Sequence, residues 1–308
     1  VESGISSEDI QQNVSDLADV NFVHLHNHSQ FSVLQSTISV SDLVSAAAKY
    51  NMPAVALTDH ANMMGAFHFV NAVNKYNSSI EDKLAKALAD GEALEVKPIK
   101  PIVGCEFFVC EDHTDKTRKD NGYQIVLLAK NKNGYHNLAK LSSHAFVDGF
   151  YYLPRIDKKL IQQYKEDLIV LTGNLYGEVP SKVLNIGENQ AEEALLWWKE
   201  QFGDDFYAEI IRHGQEDEDK INETLIQFAE KHDVNTVDEI STIVAEIKNG
   251  QLFEGNSMPY ATRTIVSLDV SMGDKRQPIQ GELGARPAIE IAPMGNGLAV
   301  IGYQTNCH

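Results

Sequence analysis

Between residues 21 and 234, short apolar runs of strand length alternate with stretches whose apolar residues recur at helical spacing. This rhythm constrains the fold more than any other feature. Strands that alternate with helices are joined by crossovers, and they pair in parallel within an α/β fold. Strand-like runs fall at residues 23–28, 54–57, 101–109, 124–130, 168–172 and 206–211. Helical patterns fall at 40–50, 65–76, 138–146, 191–202 and 220–232. The first of these places Leu43, Val44, Ala47 and Ala48 on one face. Ser39 with Asp42 forms a capping-box start, and Asn51 followed by Pro53 forms a stop. Gly203 ends the 191–202 pattern. No strand is followed by a dinucleotide-type glycine loop, so the rhythm favours a barrel over an open sheet.

The flanks differ. Residues 1–20 form a polar, acidic extension with a helix predicted over 7–17, and residues 78–95 read as a charged surface helix inserted between helix and strand. Residues 235–308 hold 8 of the 20 glycines, with strand-like pieces at 264–270, 288–291 and 298–303. That segment is expected to be a glycine-rich, β-leaning appendage or a poorly ordered tail. The chain opens on Val1 rather than Met, which suits a processed start or a fragment.

Composition narrows the chemistry. Acidic residues number 44 against 26 basic ones, a formal charge of −18. Nucleic-acid affinity comes largely from Lys and Arg neutralising phosphates, so the chain alone is a poor DNA clamp. It can still act on a phosphate ester if metal ions supply positive charge locally. Cys105, Cys110 and Cys307 are too few and too scattered for a disulfide framework, which fits a reducing, cytoplasmic setting. No secretory signal is visible, and no apolar run approaches the roughly 18 residues of a membrane span.

The strongest chemical signal is His24-Leu25-His26-Asn27-His28-Ser29. Residues two apart in a strand share a face, so His24, His26 and His28 are expected on one side. Neutral imidazoles gathered this way form a nitrogen ligand set. Thr58-Asp59-His60 follows the 54–57 run, and Gly104-Cys105-Glu106 lies within the 101–109 run. Functional groups in parallel α/β folds gather at the C-terminal strand ends. Imidazoles and carboxylates converging there are the usual donors for Zn²⁺ or Mn²⁺. Other groups read as ordinary. His68, His136 and His144 have no evident partners, one ring of Trp197-Trp198 is core, and residues 216–219 complement a helix dipole. Cys105 reads as a buried small residue. Arg155 and Arg212 suit either a phosphate or a structural ion pair, and His213 is placed to reach the barrel mouth.

These residues also carry a resemblance. His24 to Ser29 with Phe31-Ser32 resembles the first motif of the polymerase and histidinol phosphatase (PHP) domain. Met52-Pro53-Ala54-Val55-Ala56-Leu57-Thr58-Asp59-His60 resembles the second motif, and Pro101-Ile102-Val103-Gly104-Cys105-Glu106 the third. Further on come Gly149-Phe150-Tyr151-Tyr152-Leu153-Pro154-Arg155-Ile156-Asp157, Leu171-Thr172-Gly173-Asn174 and Phe206-Tyr207-Ala208-Glu209-Ile210-Ile211-Arg212-His213-Gly214. These are similar to the N-terminal PHP region of bacterial DNA polymerase III alpha subunits, over residues 21–234. The resemblance implies a distorted (β/α)7 barrel of PHP type, incomplete at its last strand because no Asp-x-His strand end follows Val234. It implies metal ligands at His26, His28, His60 and Glu106, with Asp59 and His60 as catalytic groups and His24, His213 and Arg155 as further candidates. It implies a divalent metal, Zn²⁺ or Mn²⁺, at partial occupancy or lost altogether. Gln35, Gln124 and Asn174 stand where the family usually has stronger donors, so a complete three-metal site is not expected. The polymerase carboxylates lie outside this chain. The implied role is a structural or docking module in DNA replication, with proofreading or clamp-associated replicase subunits as partners and DNA met only within the full polymerase. The alternative is an active metal-dependent phosphoesterase or 3′–5′ exonuclease.

Overall fold

The computed structural model describes residues 23–90, 96–210 and 217–234. The N-terminal extension, the glycine-rich segment 235–308, Arg212 and His213 lie outside the described residues.

A mixed sheet organises the chain. Its strands are β1 (Ala54–Leu57), β2 (Lys100–Cys110), β3 (Tyr123–Ala129), β4 (Arg155–Asp157), β5 (Leu168–Leu171) and β6 (Phe206–Tyr207). The order is β1-β2-β3-β5-β6, with β4 also pairing β2. The long β2 is the hub. Its first part runs parallel to β1, with Ala54 opposite Lys100 and Leu57 opposite Val103. Its second part runs antiparallel to β3, with Gly104 opposite Leu128 and Val109 opposite Tyr123. Its last residues run parallel to β4. The helices are α1 (Val40–Lys49), α2 (Ala66–Asp90), α3 (Lys132–Val147), α4 (Lys158–Tyr164), α5 (Glu178–Asn185), α6 (Glu188–Phe202) and α7 (Glu218–His232).

Three expectations change. First, the all-parallel sheet becomes mixed, because β2–β3 and β3–β5 are antiparallel. Residues 111–122 join β2 to β3 without a helix, and strands joined without a crossover run in opposite senses. Second, the sheet does not close into a barrel among the described residues. Third, the run at 23–28 is not a regular strand. His24 makes an isolated parallel bridge to Val55, and the chain bends at His26. Backbone bonds from the Ala56 N–H to the His24 carbonyl and from the Thr58 N–H to the Asn27 carbonyl, each 2.8 Å, still tie this segment to β1, and side chains add to them. Asn27 Nδ2 donates to the Ala56 carbonyl at 3.1 Å and more weakly to the His24 carbonyl, while the Asn27 N–H donates to Thr58 Oγ1 at 2.8 Å.

Other elements form as their residues dictate. Ser39 Oγ accepts from the Asp42 N–H, capping α1. Helix α2 runs 25 residues without interruption, merging the predicted 65–76 helix with the charged insertion. No Gly or Pro breaks the register between Tyr76 and Asp90, and Ile80 continues the buried stripe. Gly104 meets a steric demand, since a Cβ there would lie 2.6 Å from Leu128 Cδ2 and 2.7 Å from the Leu127 carbonyl oxygen. The core fills both sides of the sheet. One cluster joins the strands to α3, α5, α6 and α7, and a second lies under α1 and α2.

Candidate metal centre

Glu106 projects from the middle of β2 and is completely buried. Its Oε2 lies 3.0 Å from His28 Nε2 and 2.8 Å from His60 Nδ1, and its Oε1 lies 3.3 Å from His26 Nε2. His26 and His28 come from the bent segment beside β1. His60 comes from just past β1, where it bridges to Glu106. The His28 and His60 rings are 4.0 Å apart between centroids, and Phe108 stacks on His60 at 5.6 Å. The donor atoms of His26, His28 and Glu106 all lie within 4.8 Å of one another. His60 joins them through Glu106 Oε2.

Two further side chains hold this group in place. Glu209, just after β6, accepts from His26 Nδ1 at 2.8 Å. That carboxylate favours a proton on Nδ1, the tautomer that would leave Nε2 available to a metal ion. Asn174 Nδ2 donates to Glu106 Oε1 at 3.3 Å.

The electrostatics follow from burial and proximity. Burial works against ionised Glu106, but the His60, His26 and His28 imidazoles outweigh it and hold the carboxyl well below its usual range. Burial also opposes protonation of His26, yet Glu209 and Glu106 raise it to about 10. His28 is pushed down to about 4 by burial and by His60.

His26, His28, His60 and Glu106 therefore converge as expected, and among the described residues Asp59, Arg155 and His24 do not. Asp59 is buried, but both its oxygens are consumed by the loop after the histidines. Oδ1 accepts from the Ser29 N–H and Ser32 Oγ, each at 2.6 Å, and Oδ2 accepts from Ser29 Oγ at 2.8 Å. It anchors the loop rather than facing the cluster. Arg155 is fully buried, and its guanidinium donates to the carbonyls of Gly149, Asp120, His113 and Asp115. Those bonds leave it no role at a phosphate. His24 is buried, but the bend at His26 breaks the strand alternation that would have put it with the other two imidazoles. Of the weak-donor positions, Asn174 touches Glu106, the buried Gln124 Oε1 has no hydrogen-bond partner, and Gln35 sits in a surface turn. Cys105 is buried as expected, its thiol raised well above its ordinary value by burial. The sequence reading missed Glu209 as a partner of the site. Its position one residue past Ala208, beyond a strand end, was the available signal.

A sheet-mounted cluster of imidazoles on a buried carboxylate has the donor chemistry of a divalent-metal site, and the comparisons with known proteins agree on the family. Residues 24–213 match the PHP domain, and the chain belongs to that family. Its curated relatives include the DNA polymerase III alpha subunit of Borreliella burgdorferi, 37% identical over 212 residues, covering 68% of this chain and 17% of that protein. The DNA polymerase III alpha subunit of Aquifex aeolicus is 37% identical over 227 residues, covering 70% of this chain and 18% of its own length. The chain thus spans under a fifth of the length of these relatives. Among solved structures, an amidohydrolase from Chromobacterium violaceum with bound sulfate superposes at a TM-score of 0.44 and 10% identity, covering 71% of this chain and 85% of that one.

Proposed function

We propose that this chain is the PHP portion of a replicative DNA polymerase alpha subunit and serves DNA replication as a structural or docking module with an eroded metal centre. The observation that carries the reading is the 37% identity to such subunits over about 70% of the chain. The partners in this reading are other replicase subunits, proofreading or clamp-associated, with DNA met only through the parent polymerase in the cytoplasm. Residues 21–234 form the PHP domain, flanked by the extension 1–20 and the unmatched segment 235–308. No helix among the described residues is long and apolar enough to cross a membrane.

The side chains fit a divalent ion. His26 Nε2, His60 Nδ1 and Glu106 Oε2 are buried and lack hydrogen-bond partners although they crowd within 3.3 Å of one another's carboxylate or imidazole partners. Donors around one tetrahedral Zn²⁺ sit about 3.4 Å apart, so such crowding is what a shared cation relieves. His26, His28, His60 and Glu106 would hold Zn²⁺ or Mn²⁺. A bound ion would supply Lewis acidity and lower the pKa of a coordinated water. The chain's own residues do the rest. Glu209 keeps the His26 proton on Nδ1, Phe108 covers His60, and Asp59 fixes the loop that carries His28.

The retained histidines favour one alternative, an active metal-dependent phosphoesterase or 3′–5′ exonuclease. Incubation of the purified chain with Mn²⁺, single-stranded DNA and p-nitrophenyl phosphate separates the two. No turnover is expected. Turnover that disappears in His26→Ala would establish the alternative.

A further inference from the structure

The number of ions this centre admits is written in the orientation of one amide, given the metal-centre reading above. Asn174 Oδ1 accepts from the Tyr176 N–H at 2.8 Å. That bond fixes which end of the amide is oxygen, and it turns Nδ2 toward the cluster. Nδ2 then donates to Glu106 Oε1 at 3.3 Å. An amide nitrogen offers no lone pair to a cation, and its N–H groups repel one. The opposite oxygen of Glu106 faces imidazole donors, His28 at 3.0 Å and His60 at 2.8 Å. Oε1 also meets His26 Nε2 at 3.3 Å, so imidazoles face both oxygens, and on its remaining side Oε1 meets the Asn174 N–H instead of a lone pair.

The alternatives on the same rim are weaker. Gln124 offers only a neutral amide oxygen, which binds divalent ions far less well than carboxylate or imidazole. Asp59 has no oxygen to spare, because Ser29 and Ser32 occupy both. Glu209 has one oxygen on His26 and one buried oxygen without a partner, but among the described residues no imidazole other than His26 is bonded to it. We infer that Asn174 limits the centre to a single divalent ion, seated among His26, His28, His60 and Glu106, by presenting N–H where a second ion would need a donor.

The test counts ions. Elemental analysis after dialysis, with calorimetric titration of Zn²⁺ into the full chain, should give one ion per chain. Asn174→Asp should give two, since it replaces the N–H with a carboxylate oxygen beside Glu106. Asn174→Ala, which removes the donor and adds no ligand, should stay at one. Asn174→Cys serves as a second donor variant should the Asp form unfold, with cooperative thermal unfolding as the check on each. A wild-type count of zero, or of two or more, overturns the inference. So does a count of one in a folded Asp or Cys variant. The hydrolysis assay answers separately. Turnover with a one-ion count sinks the docking reading and leaves this inference standing, and two ions without turnover does the reverse.

Discussion

Three buried side chains carry most of the argument at the residue scale. Arg155 satisfies four carbonyls from the 113–120 loop and the 149 turn, so truncation strands all of them in the interior. Arg155→Met is expected to cost about 3 kcal/mol or more in urea denaturation, with the Zn²⁺ affinity little changed. Glu209→Ala should weaken Zn²⁺ binding about 10- to 100-fold by calorimetry, because His26 then loses the carboxylate that sets its tautomer. Glu209→Gln should recover part of that loss, since its amide oxygen still accepts from Nδ1. Glu178 ties α5 to its neighbours. It bonds Lys158 and Lys182 and accepts from the Trp198 indole at 2.8 Å. Burial works against its charge, but Lys158 and Lys182 prevail and hold it below its ordinary value of 4.5. A carboxyl depressed in the folded state contributes stability above its unfolded pKa and loses it as pH falls through the folded one. Glu178→Gln should therefore be less stable than wild type at neutral pH, and the gap should narrow as the pH drops below about 4.5. Chemical denaturation across pH 3 to 7 reads both limbs.

Elements with strong local signals were readable in advance. The β1 bounds coincide with the apolar run Ala54–Leu57, and α1 begins at its Ser39 cap. What escaped the sequence were features decided by distant partners. β4 is only Arg155–Asp157, too short for a period, and it exists because β2 offers an edge at Phe108 to Cys110. The antiparallel sense of β3 depends on the missing crossover, which apolar alternation does not encode. The 23–28 run has the alternation of a strand, yet it bends at His26, and the Asn27 and Thr58 side chains supplement its few backbone bonds to β1. Of the candidate site, the four converging residues were readable because they lie in the histidine alternation or in and just after the apolar runs 54–57 and 101–109. Glu209 was missed, because its place just past a strand end is a weak signal until His26 is seen beside it. Gly104 offers a test at this scale. A Cβ there would also fall 2.9 Å from Thr58 Cγ2, so Gly104→Ala should push β1 away from β2 and cost about 1–3 kcal/mol by urea midpoint.

Over the whole molecule, folding and ion binding are linked. The imidazoles and Glu106 come from three separate segments, so a ligand that binds only the assembled cluster stabilises the entire fold. At a free Zn²⁺ concentration of about 100 times Kd the gain is about 2.7 kcal/mol. Differential scanning calorimetry should show a higher Tm with Zn²⁺ than with a chelator, and His26→Ala should erase the difference. The open sheet adds a mechanical consequence. Among the described residues, backbone pairing runs from the segment bearing His26 to β6, and the His26–Glu209 bond crosses between these two margins. One imidazole therefore acts as the clasp on a seam. Whatever loads or empties that ring also governs how readily the two margins of the domain part.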